Sequence, residues 1–396
     1  MSAIEFVASY YYNAAFYFFF LVVCWFTVLY HIGSSTQKIL HAESSPLQGA
    51  ALVLTIIVML FLGLRPVSDS FVDMGLYAFA YERGGTVFHP IDLHKEWLWS
   101  NIIVFSKILG LNDNEYFLLI EIGYIGCMLI FAWKMTRYNL WLMMLFFMIA
   151  FQFYSFGTNG IRNGLACSVE LVAIAFLVKA DESKLNKYIA FFLMFLALGC
   201  HRSTMLPTAA ALASKYMIKD TKTAIRFWLV SIAISLVAGP LVEQFFVSLG
   251  FDDRMERYSS ANMSEHVAGK FSSTGFRWDF LFYSSAPVVM IWYVTRFRRF
   301  TDPAYSVFAN SYLLCNAFWI MVIRAAFSNR FAYLSWFLYP AVIAYPLLRM
   351  NLWKDQDRKT AIIFFLYSGF SFFMYFIYYF GTSGFKGFNL FWWKKG

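Results

Sequence analysis

The feature that most limits what this chain can become is a series of apolar runs, each near twenty residues long, parted by short charged gaps. They lie near 13–31, 47–64, 116–133, 138–156, 161–179, 185–200, 203–218, 224–247, 278–296, 304–324, 331–349 and 360–381. About twenty mostly apolar residues carry a helix across the hydrocarbon core of a bilayer. Backbone exposed to lipid must satisfy its own hydrogen bonds, which a helix does. The sequence therefore predicts an all-α polytopic membrane protein of about 12 transmembrane helices, one integral membrane domain over 1–396. Composition agrees: the chain is 60% hydrophobic and only 14% charged, where soluble domains carry about 25% charge. So little charge cannot coat a large soluble surface, which excludes a cytosolic enzyme, a disordered protein and a disulfide-rich secreted module.

The formal net charge of +9 does not point to nucleic acid, because the basic residues sit in short gaps between apolar runs rather than on one soluble face. The five cysteines, Cys24, Cys127, Cys167, Cys200 and Cys315, are scattered through or beside apolar stretches. They read as small core residues, neither a disulfide framework nor a zinc site. No basic stretch precedes the first run and no small-residue cleavage site follows it, so it reads as a span that stays.

Lysine and arginine in short loops orient such a protein. One set of alternating loops holds Lys38, Lys134/Arg137, Lys179/Lys184/Lys187, Lys215/Lys219/Lys222/Arg226, Arg296/Arg298/Arg299 and Arg349/Lys354/Arg358/Lys359. These loops carry 17 basic and 7 acidic residues, a net +10, against 15 and 16, a net −1, elsewhere. The positive face is assigned to the cytoplasm and both termini to the outside. If 96–112 crossed, the later loops would change sides and lose the bias. Region 65–115 is therefore read as external, with helices at the membrane interface; a re-entrant hairpin is the alternative.

The outside carries nine of the 16 arginines, and Arg65, Arg162, Arg202, Arg277, Arg324 and Arg330 lie close to span ends. Orientation disfavours this placement, so another demand must favour it. Arginine is the always-charged planar donor suited to bidentate phosphate contacts, and several converging on one outer cavity would hold a pyrophosphate. The plainer reading is snorkelling to lipid phosphates.

Five constellations can carry chemistry. In Arg65-Pro66-Val67-Ser68-Asp69 the proline pushes Arg65 out of helix, and Pro66 and Ser68 suit a new helix start. Gly84-Gly85 would end that helix. Asp69 and Asp73, four apart, are expected on one face of it, where like charges favour a carboxylate poised to take a hydroxyl proton. Asp69 equally suits plain helix capping. In Gly157-Thr158-Asn159-Gly160-Ile161-Arg162-Asn163-Gly164, Asn-Gly marks a turn and Arg162 opens the next span. A cation there opposes the helix dipole, but free amides beside a guanidinium suit an anion.

In Gly199-Cys200-His201-Arg202-Ser203 the histidine is a candidate base or hydrogen-bond donor, or simply satisfies a helix end. The external loop 248–277 holds charged residues and Tyr258, then Arg277 and Asp279 at a span start, and is long enough for a lid. In Arg324 to Arg330 two arginines bracket a tight outer turn, with Tyr333 following for sugar stacking; interfacial tyrosines are common in any case. His89, Asp92 and His94 have metal-like spacing, but such short loop clusters are ordinarily incidental, and no metal is assigned. Glu121, Glu170 and Glu243 lie within spans and are candidates for a proton path. There is no P-loop and no Rossmann fingerprint.

Arg65 followed by Asp69 and Tyr77, the outer run Asn159-Gly160-Ile161-Arg162-Asn163-Gly164-Leu165-Ala166, and His201 with Ser203 resemble the EpsG-like branch of the Wzy polysaccharide (O-antigen) polymerases. The resemblance covers about 50–340. Asn163 stands where glutamine is commoner, which keeps the carboxamide. The resemblance implies a GT-C-like glycosyltransferase of the bacterial inner membrane working on the periplasmic side. It implies two undecaprenyl-pyrophosphate-linked glycans as donor and acceptor, no cofactor, no metal and no nucleotide sugar. Its partners would be membrane lipids and a chain-length regulator, not nucleic acid. The expected site is Asp69, Asp73 and His201 for proton transfer, with Arg65, Arg162, Asn163, Arg202, Arg277, Arg324, Arg330, Tyr258 and Tyr333 on pyrophosphate and sugar. A lipid-linked oligosaccharide flippase, an O-antigen ligase and a membrane acyltransferase are the other readings. A flippase would ordinarily show internal repeats, and none is evident.

Overall fold

The computed structural model describes residues 7–33, 39–40, 47–248, 276–324 and 329–378. Among them the regular structure is helical, with no strand. Helices α1 Tyr12–Ile32, α2 Leu47–Gly63, α3 Met74–Arg83, α4 Trp97–Ile108, α5 Asp113–Thr136, α6 Leu140–Met148, α7 Phe153–Thr158 and α8 Ile161–Val178 come first. Then follow α9 Lys184–Cys200, α10 Met205–Tyr216, α11 Thr221–Ser248, α12 Trp278–Trp292, α13 Pro303–Met321, α14 Asn329–Trp336, α15 Tyr339–Arg349 and α16 Gln356–Phe373. The external loop expected over 248–277 lies almost wholly outside the described residues.

Local chemistry sets the helix ends. Gly110, at φ +68°, closes α4 in a conformation that glycine adopts without steric cost. Asn112 and Glu115 then open α5 with reciprocal side-chain bonds to each other's backbone N–H groups, at 3.0 and 2.8 Å. Asp302 caps α13, accepting from the Tyr305 N–H at 3.0 Å, with Pro303 in the first turn.

Each of the twelve apolar runs is mainly helical over its described residues, but fewer helices are long and apolar enough to cross a membrane. Six qualify among the described residues: Tyr12–Ile32, Asp113–Met148, Ile161–Val178, Thr221–Val242, Phe331–Arg349 and Gln356–Phe376. The stretch Asp113–Met148 takes in one expected span and the start of the next. The run 138–156 breaks between α6 and α7, and α10 has only 12 residues. α13 is 19 residues long, yet Asn310, Ser311 and Asn316 lower its hydropathy.

By its internal packing the chain groups into two compact units. The first comprises Met1–Pro90, Trp99–Leu165 and Leu347–Gly396; the second comprises Ile91–Leu98 and Ala166–Pro346. In the first, α1 packs along α16, and α2 along α5 and α6. Phe16, Phe20, Cys24, Val28 and His31 form the buried stripe of α1, while Val22, Trp25, Phe26 and Leu29 face outward. Apolar side chains that a soluble protein would cover suit a lipid surface.

In the second unit α13 is enclosed by α10, α11, α12 and α14. Much of its polar surface is satisfied internally, as buried polar groups favour, although Asn310 Oδ1 and Trp319 Nε1 have no hydrogen-bond partner among the described residues. Asn316 accepts from Trp228 Nε1 at 2.8 Å and donates to the hydroxyls of Ser335 at 2.9 Å and Ser284 at 3.2 Å. Trp336 Nε1 also donates to Ser284, at 2.8 Å. Cys24, Cys167, Cys200 and Cys315 are buried free thiols.

Candidate functional site

In the first unit the Arg65–Asp73 stretch departs from the sequence expectation. Ser68 caps a single 3₁₀ turn, Asp69–Phe71, accepting from the Ser70 N–H at 3.2 Å. Val72 then takes φ 52°, and α3 begins only at Met74, with Asp73 as its N-cap residue. Asp69 and Asp73 therefore do not share the face of one helix. The positive φ of a β-branched residue breaks the register between them and costs about 1–3 kcal/mol, a strain typical of functional turns. The two carboxylates still meet the same helix start. Asp69 Oδ1 lies 3.4 Å from where a Cβ on Gly75 would stand. Neither carboxylate makes a hydrogen bond among the described residues; Asp69 is exposed and Asp73 half-buried.

The second motif is joined to the first. Asn159 Oδ1 accepts the Asp73 N–H at 3.2 Å, holding the α7–α8 turn against the start of α3. The turn is not a left-handed Asn-Gly turn: Asn159 is right-handed at φ −114°, and its N–H and that of Gly160 both donate to Ser155 O. The glycine that geometry requires is Gly164, whose Cβ would stand 2.9 Å from the Phe156 backbone oxygen. Arg162, half-buried, lies in the first turn of α8 and acts electrostatically on the buried Tyr116. Asn163 follows it, half-buried.

Arg65 is fully buried rather than open to an outer cavity. Its guanidinium donates to Leu62 O, to Glu121 Oε1 at 3.3 Å and to Thr158 O at 3.5 Å, between the rings of Phe71 and Phe117. Glu121, among the in-span acids of the sequence, is thus the partner that sequence reasoning did not connect to it. An acid inside a span and an arginine at a span end was the available signal.

In the second unit His201 caps the short turn Arg202–Thr204. Its Nδ1 accepts from the Ser203 N–H at 3.3 Å and lies 2.6 Å from Ser203 Oγ, while Nε2 faces Glu96 Oε1 at 3.8 Å. Gly199 lets Trp97 and Leu98 approach closely, which brings Glu96 near. Arg202 is half-buried beside them. Arg277 precedes α12 and grips Asp279 bidentately, at 3.0 and 2.7 Å, over the ring of Phe280. Arg324 lies against Gly239, where α11 bends at Ala238 ahead of Pro240, and its guanidinium carbon is 5.9 Å from the Phe276 ring centre. Arg277 and Arg324 are thereby drawn to one segment, Phe276–Phe280. Tyr333 packs on Trp336. Tyr258 and the side chain of Arg330 lie outside the described residues, as does the Glu243 side chain.

No group of three histidine, cysteine or acidic side chains among the described residues is arranged to hold a metal. His94 and Asp92 instead shape their own loop through the His94 N–H, at 2.9 Å from Asp92 Oδ1.

Compared with known protein families, residues 50–392 match the model of the EpsG family. No curated protein and no solved structure matches the chain.

Proposed function

Because the chain belongs to the EpsG family, whose members are Wzy-type polymerase-like membrane proteins, we propose that it polymerises lipid-linked glycan repeat units. In this reading it sits in the bacterial inner membrane with about 12 spans in a GT-C-like arrangement, its site facing the periplasm. The donor is a growing chain on undecaprenyl pyrophosphate and the acceptor one repeat unit on a second such lipid. The acceptor hydroxyl attacks the anomeric carbon of the donor. A glycosidic bond forms, the bond from that carbon to the pyrophosphate oxygen breaks, and the hydroxyl proton passes to a carboxylate.

The observation that carries this reading is the junction of α3 with the α7–α8 turn. There the backbone of Asp73, whose carboxylate like that of Asp69 is unengaged, is bonded to the turn that leads into Arg162. A carboxylate without a hydrogen bond is free to accept a proton, and a guanidinium stabilises the charge that develops on a leaving pyrophosphate. Asp73 and Asp69 suit the base better than His201, whose Nδ1 lone pair already serves Ser203. Asn163 is assigned toward sugar in the first unit; in the second unit, considered by itself, Arg202, Arg277, Arg324 and Arg330 are assigned to phosphate and Tyr258 and Tyr333 to sugar. Asp279 now occupies the fork of Arg277, so a phosphate there would have to displace a carboxylate.

Deleting the gene and viewing surface polysaccharide by gel separates the readings. Loss of a polymerase leaves single repeat units on the final acceptor. Loss of an O-antigen ligase leaves polymer on undecaprenyl pyrophosphate, and loss of a flippase leaves units facing the cytoplasm. Arg162→Ala is expected to abolish chain extension while the protein stays in the membrane; long surface chains from that variant overturn the clamp.

A further inference from the structure

We propose that the buried Arg65–Glu121 ion pair is a positioning device that sets the register between the Asp69–Asp73 turn and the loop bearing Asn159 and Arg162. For its activity readout this rests on the polymerase reading; its structural readout does not.

The pair reaches every element of the junction. Arg65 follows α2 and bonds back to Leu62 O at its end. It stacks near Phe71, in the turn carrying Asp69, with its guanidinium carbon 5.7 Å from that ring centre. It donates to Thr158 O, one residue before the Asn159 that holds the Asp73 N–H. Glu121 comes from the middle of α5, and its carboxylate oxygens lie 3.4 and 3.5 Å from where a Gly157 Cβ would stand. The carboxylate therefore sits in van der Waals range of the backbone of this turn. One ion pair thereby ties the end of α2, the 3₁₀ turn, α5 and the end of α7.

Stability does not explain such a pair. Removing two charges from water costs several kcal/mol each, and apolar residues of similar volume often do as well or better. Compensation is incomplete here, since Arg65 Nε and Glu121 Oε2 have no hydrogen-bond partner among the described residues. An apolar pair would fill the volume but not the directions. The planar fork of arginine fixes the angles at which its carbonyl and carboxylate partners lie. Full burial also keeps Arg65 from touching a substrate phosphate in this conformation. Its influence must pass through Thr158 and Asn159 to Asp73, and through the same turn to Arg162.

The test uses the full-length protein in lipid nanodiscs, with lipid-linked repeat units extracted from the deletion strain. Glu121→Gln and Arg65→Lys are compared with wild type for kcat, KM, thermal unfolding and hydrogen–deuterium exchange of peptides covering 66–77 and 157–164. Should Glu121→Gln fail to fold, Glu121→Asp keeps the charge and shortens the reach. The expected result is a fall in kcat of about a hundred-fold, the loss that a 1 Å misplacement brings. KM should hold, and exchange should quicken in both peptides. Arg65→Lys, which keeps the charge without the fork, should fall between. A raised KM with kcat intact overturns the proposal by making Arg65 a direct substrate contact. Activity lost only in step with folded protein, with exchange unchanged, also overturns it, as does no effect at all. Quickened exchange in a chain whose wild type extends no glycan would keep the positioning role and sink the polymerase reading.

Discussion

The backbone N–H of Asp73 donates to the side-chain oxygen of Asn159 at 3.2 Å, across 86 residues of sequence. This bond makes one structural unit of two motifs that are separate in the chain. If it sets the start of α3, Asn159→Ala leaves the Asp73 amide without its acceptor and costs about 1 kcal/mol. Exchange of that amide should then quicken about five-fold. Asn159→Asp, which keeps an acceptor oxygen, should stay near wild type. Equal exchange in the alanine variant would show that the bond carries no weight.

Gly164→Ala places a methyl 2.9 Å from both the Phe156 carbonyl oxygen and its Cβ. Backbone cannot swing aside as a flexible side-chain tip does, so the α7–α8 turn must open, at about 1–3 kcal/mol. Gly160→Ala meets nothing closer than 3.4 Å, on a Phe156 ring carbon, and is expected to be tolerated. Thermal unfolding of the two variants in detergent should separate them clearly, with only Gly164→Ala falling.

Asn316 joins Trp228, Ser284 and Ser335 inside the second unit. Asn316→Ala strands the Trp228 indole N–H in an apolar interior and removes a donor from two serines. The expected loss is about 2–3 kcal/mol. A melting temperature equal to that of wild type would mean that the network is energetically idle.

Asp181 Oδ2 accepts from Lys215 Nζ at 2.7 Å, and this bond holds the Asp181 carboxyl below its ordinary value of 3.8. A lowered folded value means that the stabilisation is fully present above 3.8 and is lost as pH falls through the lower folded value. Because Asp181 is 83% exposed, water screens the pair and the effect is at most about 1 kcal/mol. Asp181→Asn should flatten the acid limb of the stability curve and leave neutral stability within that margin. An acid limb unchanged by the substitution would rule the pair out as its source.

How much was legible in the sequence differs by feature. Twelve apolar runs predicted helices, and each is mainly helical over its described residues, because a run of apolar residues free of charge has few other ways to satisfy its backbone in lipid. The number that cross was less legible. α13 is among the most enclosed helices of the second unit, yet its asparagines and serine lower the very hydropathy that marks a span. Hydropathy cannot tell an asparagine facing lipid from one bonded to a tryptophan and two serines.

At the candidate site the sequence singled out the stretches 65–77 and 157–166, which the structure joins through Asp73 and Asn159, because arginine, aspartate and glycine are out of place at span ends unless something requires them. It expected Asp69 and Asp73 on one helix, since nothing local forbids a helix from Ser68 onward. Val72 is β-branched and would not choose φ 52° by itself. Tertiary contacts do: Phe71 is buried beneath Arg65, and Asn159 holds the next amide but one.

What the sequence determined alone, then, is the solvent and the helical class, since both follow from which residues lipid will accept. What only the tertiary structure decided is how deeply each charge is buried. Arg65 and Arg162 look alike in the chain, each at a span end beside glycine. One is buried against Glu121 and the other opens α8, a difference set by an acid on α5 that lies 56 residues from Arg65 in sequence.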